Sequence, residues 1–224
     1  RPYAYLDDAP LEERRTQAVM SRRWMDPQSA SDIGKLDPAA IARVREEAWP
    51  GAGNSDQLHD ALLWLSFMTN EEVESQPSWP GLCHELMTQR RVTKLNVGTA
   101  NIFVATERVP YFEALFPDVS MDPPIVVPAA YAAKRDRDEA VREIVRGRLE
   151  GLGPTAAAQL AASFGGSVED VDGALLALEA EGTAMRGSFD PDVSASTLQW
   201  CDRRLLARIH RYTVERLRAE IEPV

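Results

Sequence analysis

Apolar residues recur at helical spacing along most of this chain, and in a few short stretches the spacing changes to alternation. Asp37-Pro38 opens a helical stretch that runs to about Ala48, with Ile41, Val44 and Ala48 on one face and Trp49-Pro50-Gly51 as its stop. Ser55 caps the next, "DQLHDALLWLSFMT", where Leu58, Leu62 and Leu65 form a stripe that Ala61, Trp64 and Met68 widen into a buried face. A third helix starts at Ser78-Trp79-Pro80, because proline is tolerated in a first turn, and it turns Trp79, Leu82 and Leu86 inward. Residues 91–97 and 100–106 then read as two strands joined at Gly98-Thr99, a β-hairpin. A short helix follows over Tyr111 to Phe116, and "MDPPIVVPAAYAA" is so rich in proline that it must be extended.

After that stretch the order repeats. Asp138 to Leu149 reads as a helix with Val141, Ile144, Val145 and Leu149 apolar, and Thr155 to Phe164 as a second. Ser167 caps a third, carrying Val168, Val171, Leu175 and Leu178, and Gly182 ends it. "TAMRGSF" and "TLQWC" are strand candidates flanking the loop Asp190 to Ser196, and one long helix closes the chain. Three helices and a hairpin, twice over, predict a mainly α fold with short β-hairpins, an α+β chain of tandem winged-helix modules. The expected division is a helical connector over 1–26, a first winged helix over 27–122, a proline-rich linker over 123–137, a second winged helix over 138–202, and a C-terminal helix over 203–224 leading to a further module. The chain opens on Arg1-Pro2 without a methionine and stops just after a strong helical pattern, so both ends read as cuts.

Charge separates the two units. In a helix-turn-helix fold the third helix enters the major groove, so its exposed face should avoid carboxylates. Glu169, Asp170, Asp172, Glu179 and Glu181 line the third helix of the second unit, which predicts packing against another module rather than base reading. The first unit gathers Gln89, Arg90, Arg91 and Lys94 at the end of its third helix and on the first strand, where they could hold a few phosphates; a solvated hairpin with ordinary surface charges is the competing reading. In "WCDRRLLARIHRYTVERLRAEIEPV", Arg204, Arg208 and Arg211 share one stripe opposite Leu205, Leu206, Ile209, Tyr212 and Leu217. That stripe either clamps a nucleic-acid backbone or pairs with acidic neighbours such as Asp202 and Glu215.

Composition narrows the classes. A chain of 224 residues, 44% hydrophobic and 27% charged, is that of a globular protein of one or two domains. Its net charge of -10 excludes a uniformly basic nucleic-acid glove, so any such contact is local. Lysine occurs only at Lys35, Lys94 and Lys134; the bias to arginine fits a GC-rich genome as well as any need for guanidinium groups. Cys83 and Cys201 lie far apart, and there is no signal peptide and no membrane-length apolar run, which predicts a cytoplasmic chain with reduced thiols and no membrane partner.

Several chemistries have no signature here. Gly34-Lys35-Leu36 lacks the loop glycine and hydroxyl of a phosphate-cradling nucleotide motif. His59, His84 and His210 stand at no metal spacing, no carboxylate pair is singled out, and no cofactor is expected. "LEGLGPTAAAQLA" admits a helix-hairpin-helix reading, in which turn N–H groups grip a phosphate, but Pro154 removes one donor and a tight turn between two helices is preferred.

"RPYAYLDDAPLEERRTQAV", "LDPAAIARVREEAWP", "SDQLHDALL", "RGRLEGLGPTAAAQLAASFG" and the closing arginine-rich block together resemble the large helicase-related family of bacterial superfamily 2 DNA helicases, at the start of the C-terminal extension beyond the motor core. The segment from Met68 to Trp79 and the loop Asp190 to Ser196 match that pattern least. The resemblance implies a DNA-repair setting, with the helicase core and downstream modules of the same parent chain as neighbours. The extension is also similar to winged-helix DNA glycosylases and is associated with uracil excision, with the residues for that chemistry expected beyond Val224. On this reading the chain itself is not an enzyme. It is a scaffold that touches DNA weakly and without sequence preference, through Arg90, Arg91, Lys94, Arg204, Arg208 and Arg211; the alternative is a protein-interaction or oligomerisation scaffold, possible as a homo-oligomer, without DNA contact.

Overall fold

The computed structural model describes residues 36–194 and 197–221, and the connector expected over 1–26 lies outside them. From Leu36 onward the chain forms one compact unit, a mixed α/β fold, predominantly helical, with small antiparallel sheets. Helix α1 (Pro38–Ala48) is capped by the Asp37 side chain and followed by α2 (Ser55–Leu65), whose cap is Asn54, one residue before the expected Ser55. Strand β1 (Met68–Thr69) and the short α3 (Asn70–Glu74) come next, then α4 (Trp79–Thr88) and the hairpin β2 (Val92–Val97) and β3 (Ala100–Ala105). A 3-10 turn leads into α5 (Val109–Leu115), and β4 (Ser120–Asp122) starts the proline-rich stretch. The second half holds α6 (Arg137–Leu152), α7 (Ala157–Phe164), α8 (Val168–Ala180), β5 (Ala184–Gly187), β6 (Gln199–Asp202) and α9 (Arg203–Ile221).

The first sheet has the order β1-β3-β2-β4, all antiparallel, and both its faces are covered. Val92, Phe103, Ala105 and Met68 face a core built with α2 and α4. Leu95, Val97, Ile102 and Val104 face a second core, shared with Val109 and Phe112 of α5 and with the apolar faces of α6, α7 and α8. Phe67 sits edge-on to Phe112 and Phe164 at 5.9 and 5.7 Å, tying the two halves of the sequence through one aromatic cluster. The tip of the hairpin is covered too, since a Cβ at Gly165, the left-handed residue ending α7, would lie 2.7 Å from Val97. A hairpin placed like this is a structural layer, and each fully buried Leu or Phe along it contributes roughly 1.5–3 kcal/mol.

A third core joins the ends of the described chain. Ile41 and Val44 of α1 meet Cys201, Leu205 and Ile209, so α1 packs on α9 rather than closing a bundle with α2 and α4 alone. The α9 residues expected on the buried side divide: Leu205 and Ile209 are buried, Leu206 and Tyr212 half-buried, and Leu217 is exposed near the helix end. The second sheet pairs only β5 and β6, continued by a bridge between Thr155 and Trp200. No helix among the described residues is long and apolar enough to cross a membrane.

Candidate nucleic-acid interface

The three basic residues expected to hold phosphates gather where α4 runs into β2. The helix ends with Arg90 N–H bonded to Met87 O and Arg91 N–H to Leu86 O, and Arg90 takes φ +60°. Glycine is the usual occupant of that left-handed position, so an arginine there carries a modest backbone cost. Arg90 Nη1 donates to Pro124 O at 2.6 Å, and Arg91 pairs with the exposed Asp56 at 2.6 Å. Lys94, two positions past Val92 on the same face of β2, turns inward to donate to Asn70 Oδ1 at 2.7 Å, with its Nζ 5.4 Å from the Phe103 ring centre.

Lys94 thereby lines a cleft of about 240 Å³ between α3, α4 and the hairpin, together with Asn70, Glu74, His84, Cys83 and Phe103. The sequence pattern singled out only Lys94 of this group. Asn70 and Glu74 ride on α3, whose start is set by a capping box: Glu72 N–H donates to Thr69 Oγ1, and Thr69 N–H donates to Glu72 Oε2 at 2.8 Å. Burial pushes the Cys83 thiol up to about 12, and that of Cys201 likewise, so neither is a ready nucleophile; both are free of disulfides.

The arginine stripe of α9 meets carboxylates of its own chain. Arg204 pairs with Glu150 of α6 at 2.9 Å and with Asp202 at 3.5 Å, and Arg208 pairs with Glu47 of α1 at 2.5 Å. Asp37 accepts from Arg216 at 2.5 Å. Arg211 is exposed, its guanidinium 5.2 Å from the Tyr212 ring centre. An acidic chain thus ends on arginines that are counterions for α1 and α6. The stripe's ion pairs run to α1 and α6, whereas Arg90, Arg91 and Lys94 bond to the proline-rich stretch, α2 and α3.

Glu47 is the hub of that seam. Hydrogen bonds from Arg43 first, then Arg208, hold its carboxyl down at about 2, and Tyr212 Oη donates a third at 3.1 Å. A depressed carboxyl contributes stability that is complete above the ordinary carboxylate range and is lost as pH falls towards the folded value. Arg208→Ala should therefore raise the Glu47 midpoint, while Arg43 keeps it below the ordinary 4.5. Carboxyl titration by NMR checks this, and an unmoved midpoint would show that the α1–α9 pair does not form in solution.

Two other sequence features have clear placements. The acidic α8 exposes Glu169 and Asp172, while Asp170 pairs with Arg137 at 2.7 Å, Glu179 with Arg186 at 3.1 Å and Glu181 with Arg146 at 2.7 Å, so much of its negative charge is balanced within the chain. The Gly151-Leu152-Gly153-Pro154 turn is mostly buried, with Arg45 donating to Leu152 O at 3.3 Å and to Pro154 O at 2.8 Å. A turn covered in this way offers no N–H groups to a phosphate.

Comparison with known proteins bears on what such a unit does. Residues 3–208 match the family model of DNA glycosylase AlkZ-like proteins. The chain is also 24% identical over 237 aligned positions to a protein of Mycolicibacterium smegmatis (strain ATCC 700084 / mc(2)155) named Lhr helicase/probable uracil glycosylase. That alignment covers 99% of this chain and 15% of the relative's length. The helicase-related resemblance is thus supported in its coarse form, and a DNA-repair-related domain is indicated. The expectation that this stretch is not an enzyme, with glycosylase chemistry beyond Val224, is corrected: the matched glycosylase domain lies within the chain itself. The sequence reading missed it because no carboxylate pair or nucleophile triad marks the chain, and a pocket that reads an extruded base by hydrogen bonds and stacking leaves no short motif.

Proposed function

The chain belongs to the AlkZ-like DNA glycosylase family, and from that premise we propose that it is a DNA-repair domain that hydrolyses the N-glycosidic bond of a damaged or misplaced base. In that reaction water adds at C1′ as the C1′–N bond breaks; the base leaves with the bond's electron pair and a proton, and an abasic site remains. The observation carrying the reading is the family match over nearly the whole chain. The cluster at the α4–β2 junction supports it. Arg90 and Arg91 are its phosphate contacts, and Lys94 belongs to the adjoining cleft. Arg90 holds a left-handed backbone position usually given to glycine, as residues under functional constraint often do. Arg91 exchanges its exposed Asp56 partner for a phosphate at little cost, since such surface pairs are worth about 0–1 kcal/mol. Arg211 is the stripe residue left to a separate phosphate contact, because Arg204 and Arg208 are engaged by carboxylates. The domain works as part of a longer helicase-type chain, as does the region it resembles in its mycobacterial relative.

Duplexes carrying single uracil or alkylated-purine lesions test the reading. Incubation with the chain should leave alkali-sensitive abasic sites at one lesion type. No abasic product from any lesion, with a folded protein, would overturn it. Binding should weaken with salt, and Arg90→Glu with Arg91→Glu should flatten the log–log salt slope by about 2, uniformly across sequences. An unchanged slope would remove both residues from the interface.

A further inference from the structure

Arg108 and Arg135 crowd one tyrosine with no carboxylate hydrogen-bonded to either, in a chain whose net charge is -10. Their guanidinium carbons lie 5.4 and 4.7 Å from the ring centre of Tyr111 on α5, and all three residues are half-buried. Arg108 donates Nε to Leu63 O of α2 at 2.7 Å and has no carboxylate partner among the described residues. The Nε of Arg135 is shielded from solvent without a hydrogen-bond partner, and the nearest carboxylate oxygen, that of Glu139, lies 4.0 Å from its Nη1, beyond hydrogen-bond range. Two other carboxylates are close in sequence but turned elsewhere. Glu107 is engaged by His59 at 3.2 Å, and Glu113, two positions past Tyr111, lies on a different side of α5. The Tyr111 hydroxyl makes no hydrogen bond among the described residues. Two half-buried cations beside a free hydroxyl, with no close counterion, are the setting an anion completes.

The position of this group in the fold says which anion. Thr106, at the start of the 3-10 turn that carries Arg108, donates through Oγ1 to Arg90 O at 2.8 Å and through its N–H to Arg91 O at 2.9 Å, so the turn is bonded to the basic corner at the α4–β2 junction. Arg91 and Arg108 then attach to α2 at Asp56 and Leu63, seven positions apart, which is roughly 10 Å along the helix at 1.5 Å per residue. A duplex strand advances about 3.4 Å per nucleotide, so that separation spans about three nucleotides. Resting on the DNA-repair reading, we infer that Arg108 and Arg135, with the Tyr111 hydroxyl, hold one further backbone phosphate, about three nucleotides along the strand from those at Arg90 and Arg91. The outer guanidinium nitrogens donate to the non-bridging oxygens, and the hydroxyl adds a donor on the ring the two arginines share. The contact is to the backbone alone, so it fixes the register of the duplex on the chain and is indifferent to base identity.

The test titrates an undamaged duplex with the chain over a range of salt concentrations. Arg108→Gln with Arg135→Gln should flatten the log–log salt slope by about 1, the loss of one phosphate, with thermal melting unchanged. Added to Arg90→Glu and Arg91→Glu, the same pair should bring the total to about 3, because the two sites hold different phosphates. Should the double variant melt early, Arg135→Gln carries the test alone, since it leaves the bond from Arg108 to Leu63 O in place. An unchanged slope in the folded variants overturns the site as a backbone contact. If inorganic phosphate raises the melting temperature of the parent chain but not of those variants while the slope stays the same, the backbone assignment is likewise overturned, in favour of a free phosphate group. Excision is scored separately on lesion duplexes. A slope that falls in a chain showing no excision upholds the phosphate site and sinks the glycosylase reading, and excision with an unchanged slope does the reverse.

Discussion

Gly147→Ala should lower the stability of the chain by about 2 kcal/mol, while Gly173→Ala, the same change on another helix, should raise it by up to about 1 kcal/mol. Alanine is the better helix former at both positions, so propensity alone predicts two gains. Space decides otherwise. A Cβ at Gly147 would lie 2.5 Å from Ser66 Oγ and 2.5 Å from Trp64 O, and the second of these is backbone that cannot rotate away. One turn later, a Cβ at Gly151 would lie 2.7 Å from Leu65. The two glycines let α6 rest directly on the end of α2, where Ser66 takes φ +72° and its hydroxyl donates to Glu143 O. At Gly173 nothing lies within 4 Å of the added methyl. Urea unfolding of the two variants checks the contrast, and shifts of the same sign would show that the α2–α6 approach is looser than the structure has it. At about 2–4 °C per kcal/mol for a chain of this size, Gly147→Ala should melt about 4–8 °C lower.

The described helices other than α3, and both hairpin strand pairs, were legible because each carries its own period and punctuation. Asp37-Pro38 starts α1, Gly182 at φ +76° ends α8, and Gly98 at φ +57° turns the hairpin. What was not legible is how the elements share their cores. Read alone, the hairpin resembles a wing in solvent, yet Ile102-Phe103-Val104-Ala105 is a continuous apolar run, and continuous runs belong to strands covered on both faces. Likewise the helical periodicity of α1 gives a buried face but not its partner, and that partner, α9, lies some 160 residues further along the chain. Tandem winged helices were inferred from element order; the structure bears out the element types and the mixed α/β class.

Part of the candidate interface was readable for the same reason. Arg90, Arg91 and Lys94 cluster in sequence and cluster in space. Asn70 and Glu74 were missed because the segment from Met68 to Trp79 is too short to show a period. A signal was present all the same: Thr69-Asn70-Glu71-Glu72 is the capping-box pattern, which marks a helix start even where periodicity fails. The arginine stripe shows the opposite limit, since spacing placed its side chains on one face but could not name Glu47 and Glu150 as their partners.

The largest loss of stability is expected from Glu72→Ala, at about 3–5 kcal/mol, the range seen when one member of a buried ion pair is removed. Arg148 of α6 is 2% exposed, its guanidinium 4.5 Å from the Phe67 ring centre and 5.6 Å from that of Trp49. It grips both oxygens of Glu72, at 2.5 and 3.2 Å, and donates to Phe67 O at 3.1 Å. Without Glu72 a buried charge keeps one carbonyl partner, and α3 loses its capping box as well. Glu72→Gln with Arg148→Met should fall within about 1 kcal/mol of the parent, because paired charges replaced together by groups of similar volume cost little, and Gln still caps Thr69. The Arg148 fork also ties α3, and with it Asn70 and Glu74, to a helix of the second half. Calorimetry of the two variants checks this: a double variant as unstable as Glu72→Ala would deny that the penalty comes from an orphaned charge.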